Sequence, residues 1–367
     1  MSVVQETILE IDLKALQHNF EYLKSTFHKE TKTLAVVKAY GYGTSACKVA
    51  KQLEKLKVNY FAVAYTKEGV SLREVGIKTP ILILHPQLVN IKTIIKYGLE
   101  PNIYSNRVLE TFIKEFESEN LKNYPIHIKF NTGLNRLGFS ENDIDAILFK
   151  IQNSESVKIK SIFSHLAASE DLNEKTFSED QIKTFKKITT QFILKLGYTP
   201  ILHMTNTSGI LNYPQAHFDM VRMGIGLYGF SNDVIHTKKL KNVATLKSVI
   251  SQIHSIEKGK SVGYNRAFKA DKLIRTATIP IGHADGIHRA FGNGVGYVTI
   301  HGQKASIIGN VCMDMIMVNI TGMSCQEGDE VIIFDSQKTI NDLAKKINSI
   351  SYEILTAISQ RVRRIVN

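Results

Sequence analysis

Residues 34–44 read LAVVKAYGYGT, an apolar run that stops at Lys38 and breaks into a glycine-rich turn. A run apolar on both faces is the pattern of a buried parallel strand, and the carboxyl end of such a strand faces the crevice where α/β proteins bind ligands. Gly41 and Gly43 permit a sharp turn and a close backbone approach there. A lysine stripped of water at that place loses its charge readily, and can then act as an imine-forming amine or as a base. The same pattern fits a lysine that lays its stem along the strand and carries its charge into water. Local sequence leaves both readings open.

Other polar residues punctuate apolar runs in the same way. Tyr42 follows Lys38, and Lys129 and Arg136 lie on and after IHIKF. His165 closes IKSIFSH, Asn206 and Thr207 follow ILHM, and Arg222 sits inside MVRMGIGLYG. MTNTSG and RMGIGLYG bring small residues and free backbone amides beside a strand end, which suits a phosphate group. A phosphorylated cofactor together with an imine-forming lysine points to pyridoxal 5'-phosphate, whose ring stores the electrons left when an amino acid loses its Cα proton.

The elements that must position these residues alternate regularly. Eight short apolar runs lie between residue 34 and about 230: TLAVVKA, YFAVA, PILILH, PNIYS, IHIKF, IKSIFSH, ILHMTN and MVRMGIGLYG. Between them come helical patterns such as NRVLETFIKEFES, and ENDIDAILFKIQN opened by Ser140. The rhythm predicts an α/β fold, a (β/α)8 TIM barrel over residues 12–238, with the strand-end residues gathered at one mouth. After about residue 238 strand-like pieces follow one another across glycine turns, predicting a mostly β domain over 239–367 joined by an N-terminal strand in 1–11. INDLAKKI and SYEILTAISQRVRR read as closing helices, and Asp12 as the cap of the first helix.

The chain resembles the alanine racemase family along nearly its whole length. The resemblance rests on LEIDLKALQHN, AVVKAYGYG, IKFNTGLNRLGF, SHLAASE, HMTNTSG, VRMGIGLYG, VGYNRAF, GHADG, GNVCMDM and SYEILTAISQRV, in that order. It implies a pyridoxal-phosphate enzyme that interconverts L- and D-alanine by two bases and supplies D-alanine for peptidoglycan. Carried over by position, Lys38 would hold the cofactor. Tyr42, Thr207, Gly224, Ile225 and Tyr352 would hold its phosphate, with His165 and Asn206 beside it. Arg222 would face the pyridine nitrogen, and Arg136 the phenol oxygen and the substrate carboxylate. Lys129 would be a carbamylated lysine bracing Arg136, and Met313 and Asp314 would line the substrate side.

Racemising Cα takes a proton from one face of a planar centre and returns one to the other, which calls for a second base. The resemblance assigns that role to Tyr264 of the other subunit of a homodimer. A phenol needs nearby positive charge to act as a base at neutral pH, and Arg136 and a His165–Arg222 chain are the expected sources. The family usually has asparagine and alanine at Tyr40 and Gly41, serine at Thr207 and tyrosine at His283, while Glu170 stands near a usual aspartate. The last two touch the expected substrate corridor.

Composition bounds the alternatives. The 367 residues carry 43% apolar content, room for two cores, and no window approaches a membrane span or a secretory signal, so a cytoplasmic protein is expected. Cys47, Cys312 and Cys325 lack the spacing of a disulfide framework or a metal site, and no metal is expected. The net charge of +12 admits a nucleic-acid partner. Its lysines, however, are spread over amphipathic segments such as DQIKTFKKITTQFILKLG, opposite Ile182, Phe185, Phe192 and Leu196, which reads as surface solvation. Two further readings use the same barrel. A basic-amino-acid decarboxylase would carry an acidic partner for the pyridine nitrogen, where this chain has Arg222. A non-catalytic pyridoxal-phosphate carrier would lack the β domain.

Overall fold

The computed structural model describes residues 6–367; of the segment 1–11 expected to contain a strand, residues 1–5 lie outside this range. Ile8–Ile11 form β1, and Leu13–Lys24 form α1. Asp12 caps α1 as expected, its Oδ1 accepting from the amides of Lys14 and Ala15 at 2.8 Å each.

The eight expected runs then form eight parallel strands. They are β2 (Lys32–Val36), β3 (Tyr60–Val63), β4 (Ile81–Ile83), β5 (Glu100–Ile103), β6 (Tyr124–Lys129), β7 (Val157–Phe163), β8 (Ile201–His203) and β9 (Met220–Met223). Each pairs with the next, and β9 pairs with β2, closing the barrel. YFAV and ILI are buried throughout, because helices cover the outside while neighbouring side chains fill the inside. Helices between the strands bury one stripe each: Ile182, Phe185 and Phe192 of the Lys175–Leu196 helix are buried, Leu196 only partly, and its lysines face water.

Beyond residue 243 the chain builds antiparallel strands. They are β10 (Ala244–Val249), β11 (Gln252–Ile256), β12 (Ser261–Val262), β13 (Phe268–Lys269), β14 (Ile274–Ile279), β15 (Tyr297–Ile300), β16 (Gln303–Ile308), β17 (Ile316–Asn319) and β18 (Glu330–Phe334). The end of the chain differs from the expected helix. SYEILTAISQRVRR is helical only over Ser351–Thr356, and Arg363–Val366 are a strand, β19, that pairs parallel with β1. The nine-stranded sheet runs β11-β14-β17-β16-β15-β18-β10-β1-β19, so both ends of the described chain share one edge of it. One continuous apolar cluster links this sheet to the barrel.

The Lys38 turn is the least ordinary piece of backbone. β2 stops at Val36, and Ala39, Tyr40, Gly41, Tyr42 and Gly43 all have positive φ, between 51° and 81°. Left-handed conformation costs roughly 1–2 kcal/mol for each residue that has a Cβ, so Ala39, Tyr40 and Tyr42 need outside support. Glu68 provides part of it, its Oε1 accepting from Ala39 N at 2.6 Å and its Oε2 from Ala64 N at 2.7 Å. Arg364 on β19 donates to the carbonyls of Gly43 and Thr44 at 2.8 and 3.1 Å. A Cβ on Gly43 would stand 1.9 Å from the Leu355 carbonyl oxygen, so a side chain is excluded where the turn meets the Ser351–Thr356 helix. The far end of the sequence thus clamps the turn that presents Lys38.

Candidate active site

The barrel mouth holds a cavity of about 580 Å³. Of the residues singled out by sequence, it gathers Lys38, Tyr42, Lys129, Arg136, His165 and Arg222, together with Asn206, Thr207, Gly224, Ile225 and Tyr352. Four of these are cations, and the lining contains no carboxylate. Such a cavity is built for anions.

Each cation is held differently. Lys129 ends β6, with its ammonium 6.0 Å from the Phe163 ring centre. Burial first, then Arg136 and Arg222, bring its amine down to about 8. Lys38 is lowered by burial and by Arg136, against an opposing pull from Glu68. Arg136 rides a loop pinned by Asn131, whose Oδ1 accepts from the amides of Gly133 and Asn135 at 3.2 and 3.0 Å.

Arg222 is fully enclosed. Its NH1 donates to His203 Nδ1 at 2.8 Å, and its NH2 group meets Ser164 O, Met204 O and His165 Nδ1 at 2.8–2.9 Å. Burial and Arg136 pull the guanidinium down to about 9, so it keeps its charge at neutral pH. His165 is driven well below the usual imidazole range by burial, with Arg222 the next cause. Within the expected His165–Arg222 chain the lowered His165 places its Nδ1 2.9 Å from Arg222 as an acceptor, and Arg222 is the member that carries the charge.

Thr207, Gly224 and Ile225 meet at the opposite wall. Thr207 Oγ1 accepts from the amides of Gly224 and Gly226 at 3.1 Å each. Both lone pairs are thereby used, which leaves the hydroxyl proton to donate into the cavity. Among the described residues the Ile225 amide has no protein acceptor. The Tyr42 and Tyr352 rings lie 6.0 Å apart. Burial raises both phenols, Tyr352 to about 12, so each keeps its proton and can donate. A Cβ on Gly224 would stand 3.0 Å from the Tyr42 hydroxyl and 3.8 Å from Thr207 Oγ1. The missing side chain keeps this hollow of donors open.

Three expected residues do not reach the cavity of their own chain. Tyr264 is 73% exposed and Met313 58% exposed, and Asp314 accepts from Arg361 at 2.6 Å. They nevertheless share one surface: Asn310 donates to the Tyr264 carbonyl at 3.1 Å, and the turn at His283 bonds its amide to Cys312 O at 2.9 Å. Arg361 also donates to buried Asp285, tying that turn to the 310–315 loop.

Sequence reasoning missed Tyr65, His85, Asn102 and Phe163, all in the lining. His85 was within reach, since it ends ILILH as the other site residues end their strands. It stacks on Tyr104 with ring centres 5.7 Å apart. Asn102 and Phe163 lie inside apolar runs and carry no spacing signal.

Comparison with known proteins agrees with this geometry. The pattern described as alanine racemase, N-terminal domain, matches residues 11–232, and that of the alanine racemase C-terminal domain matches 243–366. The chain belongs to the alanine racemase family. It is therefore an enzyme of the isomerase class. It is 34% identical to alanine racemase 1 of Caldanaerobacter subterraneus subsp. tengcongensis, over 99% of this chain and 95% of that protein. The solved alanine racemase of Clostridium difficile 630 superposes with a TM-score of 0.93 at 31% identity, covering 100% of this chain and 97% of the other. The alanine racemase of Bartonella henselae, solved with covalently bound pyridoxal phosphate, superposes with a TM-score of 0.88 at 30% identity and 99% coverage of both chains. Among the described residues no helix of this family member is long and apolar enough to cross a membrane.

Proposed function

We propose that this chain interconverts L- and D-alanine with pyridoxal 5'-phosphate, and that the cavity at the barrel mouth is the catalytic site. The observation that carries the reading is the set of four cations, Lys38, Lys129, Arg136 and Arg222, around a hollow of neutral donors with no lining carboxylate. A phosphate and an amino-acid carboxylate are the anions that such a cavity fits. When bound, the cofactor supplies an electron-withdrawing ring that acidifies the Cα proton of the amino acid.

The chain's own residues divide the work. Tyr42, Tyr352, the Thr207 hydroxyl and the Ile225 amide would hold the phosphate, with Gly224, whose amide is taken by Thr207 Oγ1, keeping the hollow open beside it and Asn206 shaping the wall through its 2.8 Å bond to Gly209 N. Arg136 would orient the carboxylate. Arg222 would face the ring as a donor and could not serve as a proton acceptor there, which would weaken the ring as an electron sink and disfavours the decarboxylase reading. Lys38, with its depressed basicity, would hold the cofactor and serve as the base on one face of Cα.

Tyr264 is the base for the other face, contributed by the partner subunit of a homodimer. What supports this is its exposure, together with that of Met313 and Met315 on the loop whose Asn310 bonds the Tyr264 carbonyl. The product D-alanine would be formed in the cytoplasm for peptidoglycan. Incubating the pure protein and pyridoxal phosphate with each L-amino acid, and separating enantiomers, tests the reading. Alanine should be racemised fastest, and an enzyme that decarboxylates instead would refute it.

Lys129 is the carbamylated lysine of this reading. Carbamylation needs a neutral amine, and an amine lowered to about 8 is half neutral near that pH. The added negative charge would sit between Arg136 and Arg222. Protein incubated with 13C-bicarbonate should show a carbamate carbon signal that grows as pH rises through 8 and is absent in Lys129→Ala. Its persistence in that variant would place the modification elsewhere.

A further inference from the structure

Among the described residues Arg222 has no carboxylate partner, yet its positive charge is buried. The compensating carboxylate lies four hydrogen bonds away, across the inside of the barrel. Arg222 NH1 meets His203 Nδ1 at 2.8 Å, and His203 Nε2 meets Ser161 Oγ at 3.0 Å. Ser161 Oγ meets His127 Nδ1 at 2.6 Å, and His127 Nε2 meets Glu100 Oε2 at 2.7 Å. The five residues come from β9, β8, β7, β6 and β5 in turn, and all are buried.

The direction of this chain is forced at both ends. A guanidinium only donates, so His203 Nδ1 must accept. In a neutral imidazole the other nitrogen then carries the proton, and His203 Nε2–H donates to Ser161. The Ser161 proton is left for His127 Nδ1, which puts the remaining His127 proton on Nε2, facing Glu100. A carboxylate accepts, and the sequence closes. Reversing the Arg222–His203 or His203–Ser161 link would set an N–H of His203 against an N–H of Arg222, and reversing the Ser161–His127 link would require His127 to be doubly protonated. Burial, with Arg222 and His127, keeps His203 well below the usual imidazole range, consistent with a neutral ring.

We propose that Glu100, His127 and Ser161 are positioning residues for Arg222, forming with His203 a one-way relay that locks the guanidinium as a donor towards the cofactor ring nitrogen. Such a relay has a use beyond stability. Arg222 NH1 and NH2 are occupied by protein acceptors, and among the described residues Nε has none. The relay holds the plane of the guanidinium, so the free donor keeps one direction. Glu100 supplies the far end: it is 8% exposed and its Oε2 meets His127 Nε2 at 2.7 Å. The proposal rests on the reading that pyridoxal phosphate occupies the cavity.

The test compares affinities of the apoprotein for pyridoxal 5'-phosphate and for its analogue with C–H in place of the ring nitrogen. Wild-type protein should prefer the nitrogen-bearing molecule by about tenfold or more, the worth of a hydrogen bond from a charged donor. Ser161→Ala should cut that preference to about threefold or less while leaving affinity for the analogue within about twofold, because only the aim of Arg222 is disturbed. Glu100→Gln, nearly isosteric, provides the same reading if Ser161→Ala folds poorly. In 15N-histidine spectra of the apoprotein, His127 should be a single Nε2–H tautomer in wild type and a mixture in Glu100→Gln, whose amide can donate or accept, and its Nδ1 signal should shift in Ser161→Ala, while His203 stays Nε2–H throughout. A variant that weakens both ligands by one factor, with His127 unchanged, would overturn the relay, leaving these residues merely structural. A wild-type protein that binds both ligands equally would remove the contact the relay serves. If it binds neither, the cofactor reading falls, and the relay with it.

Discussion

Lys38→Ala should lose essentially all alanine racemisation, by about 10⁴-fold or more, and the visible absorbance of lysine-bound cofactor should vanish with it. The size of the effect follows from two roles in one side chain: Lys38 is proposed both to hold the cofactor and to take the proton from one face of Cα. Its position makes both roles physical. The ammonium is destabilised by burial and by Arg136, so a neutral, nucleophilic amine is accessible at lower pH than for a lysine in water. The left-handed turn, clamped by Glu68 and Arg364, fixes where that amine points. Lys129 is the natural control, since it is buried in the same cavity and its amine is lowered to about 8. Borohydride treatment should attach the cofactor to wild-type and Lys129→Ala protein, but not to Lys38→Ala. A reduced adduct on another lysine of Lys38→Ala would refute the assignment.

What the sequence made legible was what local pattern encodes. Most of the barrel strands are short runs buried on both faces, β7 alternating only at its start where Lys158 and Lys160 are exposed, and the strand-end rule found Lys38, Lys129 and His165 because the barrel brings all such ends together. β19 was not legible. RRIV follows a helical pattern, and it becomes a strand because β1, at the other end of the chain, offers it an edge. The left-handed turn was only half visible: Gly41 and Gly43 signal it, but Ala39, Tyr40 and Tyr42 adopt it because distant residues hold them there. The relay from Glu100 to Arg222 had no signal, since each of its polar residues sits alone within its strand. Tyr264 was found through the flanking VGYNRAF rather than through any pattern of burial. Within one chain its side chain has nothing to act on.

That isolation yields a decisive experiment. If the partner subunit's Tyr264 completes each site, Lys38→Ala and Tyr264→Ala are defects on opposite sides of every active site, and each homodimer has two broken sites. A heterodimer of the two variants differs. One site takes both defects, and the other pairs an intact Lys38 with an intact Tyr264. Random exchange makes about half the dimers heterodimers, each with one working site, so activity should rise from near zero to about a quarter of wild type. If Tyr264 acted within its own chain, every site of every dimer would carry one defect, and mixing would restore nothing. Subunit exchange must be followed independently, by mass spectrometry of differently tagged chains, so that a silent mixture is interpretable. Exchanged heterodimers without activity would exclude the trans arrangement. Recovery would also bear on the two-base mechanism, because the residual activity of Tyr264→Ala alone has a direction. With Lys38 left to serve its face, Cα exchange with deuterated solvent should persist for D-alanine and fall steeply for L-alanine. Equal loss for both enantiomers would reduce Tyr264 to a positioning role, even in a site shared between subunits.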